Sequence, residues 1–246
     1  MNAAVFRALI YADSRLLWRD PLLGWILALP IGLALLLRAL IPRVQAELLA
    51  GTGFDLTPYH PLVMGGYLMT APGMVGMVIG FLFLDERDAR TLTALRTTPL
   101  SMRHYVAYRL ALPLLLGTAS TLIGYPLTGL TPIAFSSLLP IAIVAGFSAP
   151  LLTLVLAVAA PNKVAGFAVV KVMNAVNLLP VVASFVPRPL QFVAGLVPTY
   201  WPMRALWSSA AGDSFGAYLV LGTVVSGLAL ALAAWLLDRR LLRRAW

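Results

Sequence analysis

Between Asp85 and His104 the chain reads D-E-R-D-A-R-T-L-T-A-L-R-T-T-P-L-S-M-R-H. Asp85, Glu86, Arg87, Asp88, Arg90, Arg96 and Arg103 are gathered there between two apolar blocks. Leu92 and Leu95 form an i, i+3 pair able to line one side of a short helix. Thr98-Pro99 ends that helix, because the residue before a proline is pushed out of the α region. Charges around a short apolar ridge make a shape that a soluble partner could grip. The bland alternative is a solvated loop whose arginines set membrane orientation.

A second group of polar residues sits inside an apolar block. Lys171, Asn174 and Asn177 step by three along one helical segment, and polar groups at such depth face either a cavity or another helix. They line a substrate path, with Tyr67 and Tyr125 as further lining, or they bond one helix to the next. Other chemistry is poorly supplied. Ser148 sits in G-F-S-A, but a serine nucleophile needs a base within reach and no histidine falls at that depth. No H-E-x-x-H is present, and neither Lys163 nor Lys171 follows a glycine as a phosphate-binding loop requires. The absence of cysteine removes disulfides, thiolate metal sites and a cysteine nucleophile. The chain reads as a non-enzyme.

These groups are positioned by a membrane protein. At 246 residues, 61% hydrophobic and 11% charged, with mean hydropathy +0.90, the chain is far more apolar than an ordinary globular domain of about 25% charged residues. Its net charge of +9 collects at the ends of apolar blocks, so it reports topology rather than nucleic-acid binding. Residues 3–19 predict an amphipathic interfacial helix, with Asp13 on its apolar side. Six spans follow, at about 21–41, 59–84, 105–130, 136–160, 164–186 and 215–237, each near the ~20 residues that cross a bilayer. Gly76 and Gly80 in the second have the spacing that lets helices approach closely, within the chain or between subunits. Residues 187–213, with V-P-T-Y-W-P-M-R-A-L-W, predict a re-entrant or interfacial segment holding Tyr200, Trp201 and Trp207 at headgroup depth. The fold class is all-α integral membrane, in a single transmembrane domain over 1–246.

With both termini inside, 13 of the 18 basic residues lie on the cytoplasmic side, and so does the charged loop of residues 85–104. The nine acidic residues all fall outside the apolar middle of the spans. A proton-driven carrier therefore lacks its usual coupling group, although a sodium-coupled one using backbone carbonyls stays open. No internal repeat relates the two halves.

The charged segment resembles the first cytoplasmic loop of type 2 ABC exporter permeases. In those proteins acidic, basic and acidic residues lead into Thr-Leu, then Leu, then Thr-Pro-Leu-Ser. Here these are Glu86, Arg87, Asp88, Thr91, Leu92, Leu95, Thr98, Pro99, Leu100 and Ser101, with Arg90 standing where the family usually has glycine. The resemblance implies that Glu86, Arg87, Asp88, Arg90, Thr91, Leu92, Leu95, Thr98 and Pro99 couple to a separate ATPase. ATP and Mg would be bound by that partner, with no cofactor or metal in this chain. It also implies a second permease copy or a paralogue, a bacterial inner-membrane location and no nucleic-acid partner. The chain is most similar to the drug-export branch, which handles compounds such as fluoroquinolones. Export of a lipid, peptide or natural product, an ion-coupled secondary carrier, and a membrane scaffold without transport are the alternatives.

Overall fold

The computed structural model describes residues 11, 14–15, 20–88, 102–187 and 191–243. Tyr11, Ser14 and Arg15 are helical, and the rest of the interfacial segment at 3–19 lies outside the described residues. The described residues form α1 (Pro21–Thr52), α2 (His60–Asp88), α3 (Met102–Thr128), α4 (Phe135–Gly146), α5 (Ser148–Ala159), α6 (Lys163–Ala183), α7 (Tyr200–Ala210) and α8 (Gly216–Arg243), with no strand. Among the described residues six helical stretches are long and apolar enough to cross a membrane, α4 and α5 together forming one of them.

Helix α1 starts at a well-made cap. Asp20 accepts from the amides of Leu22 at 3.1 Å and Leu23 at 3.4 Å, and Pro21 sits at N1, where its missing N–H costs nothing. The helix does not stop at Ile41 but runs to Thr52. Ala46, Glu47, Leu48 and Leu49 are strong helix formers, and the end comes at Gly53, whose φ of 71° permits the left-handed cap that donates to the Leu49 carbonyl. Most of the stretch between the first two expected spans is thus helix, tied down where Gln45 donates to Thr57 at 2.8 Å.

Helix α2 is the hub, packed against α1, α3, α4, α5, α6 and α7. Glycines make this closeness possible at two places. A Cβ on Gly76 would lie 2.8 Å from the Ala149 Cα of α5, and one on Gly80 would run into the Leu156 side chain. The Gly76–Gly80 face therefore serves packing within the chain. Thr153 reinforces it by donating to the Gly76 carbonyl at 3.0 Å.

The fourth span is two helices rather than one, parting at Phe147. Pro150 has no N–H to give the Gly146 carbonyl, so the ladder is interrupted there. Ser148 donates to the Ala145 carbonyl at 2.7 Å, beside the break.

Residues 191–213 turn back onto the bundle through a short 3₁₀ segment, Phe192–Leu196, and α7. Tyr200 and Trp201 are buried, at 2% and 6% exposure, instead of forming an exposed aromatic belt. The Trp201 indole donates to the Gly195 carbonyl at 2.9 Å, and the half-buried Trp207 donates to the Pro61 carbonyl at 2.8 Å. Both indole N–H groups are thus satisfied inside the protein, which lets the Trp201 ring pack as core.

Candidate functional site: a methionine-lined cavity and a charged helix end

Chain direction brings the start of α1, the end of α2, the start of α3, the end of α5 and the start of α6 to one end of the bundle. Three consecutive residues of α2 reach three neighbours there. Asp85 meets Lys163 of α6, with Oδ2 to Nζ at 2.8 Å. Glu86 pairs with Arg109 of α3. Arg87 donates to the carbonyls of Ala157 at 3.3 Å and Ala160 at 2.6 Å, at the end of α5. Lys163 also touches the Asp20 carboxylate at 2.8 Å, so one ammonium joins α1, α2 and α6.

These contacts differ in strength. The side chains of Glu86 and Arg109 are 10% and 4% exposed, and removing one partner of such a buried pair costs about 3–5 kcal/mol because the other charge is stranded. Lys163, Asp20 and Asp85 are 29%, 30% and 35% exposed, where a pair contributes about 0.2–1 kcal/mol. The hydrogen bond from Lys163 holds the Asp20 carboxyl below its ordinary pKa, against a smaller opposing effect of desolvation.

Of the residues expected to couple to an ATPase, Glu86 and Arg87 thus turn into the bundle, where they anchor the end of α2. Asp88 is exposed on its last turn. Arg90, Thr91, Leu92, Leu95, Thr98 and Pro99 lie outside the described residues.

The second feature is a partly open cavity of about 430 Å³ between α2 and α6, bordered also by Leu29 of α1, by Ser148, Leu151 and Leu152 of α5 and by residues 196–199. Its size suits a drug-sized molecule, for which sites of about 300–1,000 Å³ are usual. Met69, Met74 and Met77 of α2 and Met173 of α6 line it. Methionine has an unbranched, polarizable side chain that adapts to differently shaped apolar ligands and favours contact with aromatic rings. Polar character comes from Thr70, Ser148, Asn174, Asn177 and Thr199, and none of the lining residues is charged.

Asn174 and Asn177 are therefore both on the cavity wall, but they are not equivalent. Asn177 accepts from the Thr199 hydroxyl at 3.0 Å, which orients its amide, whereas Asn174 is exposed. Lys171 lies on the same helix, exposed, and does not line the cavity. The expected lining by Tyr67 and Tyr125 is not what the structure has. Both rings are buried, at 2% and 3% exposure; the Tyr67 hydroxyl donates to the Pro30 carbonyl at 3.2 Å and that of Tyr125 to the Thr131 carbonyl at 2.9 Å. They belong to the core between α1, α2, α3 and α4.

The methionines and Thr199 were missed by sequence reasoning, because methionine reads as ordinary apolar filling. Their concentration was the available signal: four of the chain's eight methionines, at positions 64, 69, 74 and 77, fall in α2. Arg109 and Lys163 were counted only as topology signals. An arginine already inside the third span requires a buried carboxylate partner, and Glu86 supplies it.

Residues 13–234 match a family model described as fluoroquinolones export permease protein Rv2686c-like. The chain belongs to that family. Among curated relatives, this permease is 34% identical over 231 residues to the fluoroquinolones export permease protein Rv2686c of Mycobacterium tuberculosis strain ATCC 25618 / H37Rv. It is equally similar to the corresponding protein MT2760 of strain CDC 1551 / Oshkosh. Each alignment covers 93% of this chain and 90% of the relative. No solved structure matches the permease. Its family and the six membrane-length helices among the described residues make it a multi-pass membrane protein of an export-permease family.

Proposed function

We propose that this chain is the membrane-spanning subunit of an ATP-driven exporter, which moves lipophilic ring compounds, fluoroquinolones among them, through the α2–α6 cavity. The observation that carries the reading is that uncharged, methionine-lined cavity in a member of an export-permease family. None of the described carboxylates lines the cavity, which leaves a proton-driven cycle without an acid on the substrate path. Energy then comes from a separate ATPase subunit carrying ATP and Mg, gripping the segment that follows Asp88.

In this reading the end of the bundle with Asp20, Asp85 and Lys163 faces the cytoplasm, in keeping with the excess of arginine there. A second copy of the chain or a paralogue completes the transporter. Asn174 offers a hydrogen bond to the cargo from the α6 wall, while the methionines supply adaptable apolar contact. Closure of the ATPase on nucleotide moves the α2 end and exposes the cavity to the other side, a rigid-body two-state change.

The test is co-expression with a candidate ATPase and reconstitution in sealed vesicles. ATP-dependent accumulation of a fluoroquinolone, abolished by a non-hydrolysable nucleotide, is the expected result. Uphill movement by this chain alone along an ion gradient, with no nucleotide added, would instead make it a secondary carrier and end the ATP-driven reading.

A further inference from the structure

The three connections made by the end of α2 differ in how readily they part. Glu86 and Arg109 are withdrawn from water, so separating them strands two charges in the bundle. Arg87 holds backbone carbonyls at the end of α5, a contact that moves with that helix end. The Lys163 bridge is about one-third open to water, so water can solvate each charge as it opens.

Position singles out the same bridge. Lys163 is the first residue of α6 and Asp85 lies in the last turn of α2. A cation at a helix N-terminus and an anion at a C-terminus each oppose the helix dipole, and each is compensated here by the other. Asp20 is differently placed. It accepts two backbone amides as the cap of α1 and keeps those bonds whether or not Lys163 moves.

Helices α2 and α6 are also the two principal walls of the methionine-lined cavity. The Asp85–Lys163 contact is therefore a polar tie between those walls at one end, on the helix that leads directly into the charged segment. We propose that Lys163 is the positioning residue for energy coupling: it ties α6 and α1 to the end of α2, and releases Asp85 once per transport cycle while Glu86–Arg109 stays closed. With the tie made, α6 follows α2 and the cavity keeps its shape. With the tie released, α2, α3 and α5 move together as one unit and α6 is left behind, which changes the width of the cavity. The coupling role rests on the ATP-driven reading above; the tie itself does not.

Two arms test it. Because the chain has no cysteine, spin labels can be placed on Asp88→Cys and Val164→Cys alone, both exposed positions, in the permease held in nanodiscs without an ATPase. Lys163→Gln and Asp85→Asn should each broaden the distance distribution toward longer separations, and Lys163→Arg should keep the parental one. Distributions unchanged in Lys163→Gln and Asp85→Asn overturn the tie. In vesicles containing the ATPase complex, Lys163→Gln should raise ATP hydrolysed per fluoroquinolone exported about threefold, the change that an ion pair of surface strength carries, with Lys163→Arg restoring the ratio. A ratio equal to the parent's overturns the coupling role. If the parent exports without nucleotide, the ATP-driven reading and the coupling role fail together, and the spin-label arm still decides whether Lys163 holds α6 to α2.

Discussion

Glu86 of α2 and Arg109 of α3 form a buried ion pair, 23 residues apart in sequence, beside the point where Asp85 and Asp20 share the partly exposed Lys163. Arg109 also lies with its guanidinium 5.7 Å from the centre of the Tyr108 ring. Burial makes this pair a structural fixture, so its loss should be read in stability before it is read in transport. Glu86→Gln and Arg109→Gln are each expected to destabilise the detergent-purified protein by about 3–5 kcal/mol. A double replacement of both by leucine should recover most of that, since it leaves no charge behind. Thermal unfolding followed by tryptophan fluorescence measures it; single variants as stable as the parent would mean that the pair is not withdrawn from water.

Packing of α2 on α5 yields a prediction with an internal control. Gly76→Ala places a methyl against the Ala149 backbone, which cannot swing aside, and overpacking of this kind costs about 1–3 kcal/mol. Gly66→Ala meets nothing within 4 Å and should leave stability unchanged or raise it by up to about 1 kcal/mol through helix propensity. The comparison is made on melting temperature, with Gly76→Ala expected below the parent and Gly66→Ala level with it or above.

How far the sequence reached depended on the range of the interaction involved. Apolar blocks of about 20 residues mark spans wherever they occur, so the six long helices and the all-α class were legible. Helix ends were less so: bilayer thickness suggested Ile41 as the end of the first, but the backbone stops where Gly53 can adopt a left-handed φ. Glu86 and Arg87 read as part of a docking loop, and their bonds within the bundle stayed hidden because their partners are 23 and at least 70 residues away. Tyr67 and Tyr125 read as polar wall because nothing local revealed that the Pro30 and Thr131 carbonyls take their hydroxyls. For Asn174 and Asn177 the sequence left two readings open, a cavity wall or a bond to another helix, because a polar group on an otherwise apolar face needs a polar or open neighbour and the sequence does not say which.

The cavity and the tyrosine core should respond separately. Asn174→Leu is expected to change the apparent Kd of a labelled fluoroquinolone several-fold, the effect of one neutral hydrogen bond of about 1 kcal/mol, with no change in melting temperature. Tyr67→Phe removes the bond to the Pro30 carbonyl and should cost about 1 kcal/mol of stability while leaving that Kd as it was. Equilibrium binding and melting of the same two preparations decide it; a shifted Kd in Tyr67→Phe with Asn174→Leu unaffected would move the binding site away from α6.

Acid should weaken the Asp20 contact in a defined direction. Asp20 has its pKa lowered from 3.8, first by the hydrogen bond from Lys163 and further by that charge and by the amides of Leu23 and Leu22, against desolvation. A carboxyl whose folded-state pKa lies below its unfolded value contributes stability in full above the unfolded value and loses it as pH falls through the folded one. Asp20→Asn keeps a capping oxygen for α1 but gives up the charge. The variant should therefore melt below the parent at pH 6, by a margin that shrinks in high salt because the pair is partly exposed. The two curves should converge as the pH is lowered from 3.8 through the folded-state value, where the parent's Asp20 is itself neutral. Melting temperatures taken from pH 6 to pH 2.5 measure this, and a gap that widens toward acid would show that Lys163 is not what lowers the Asp20 pKa.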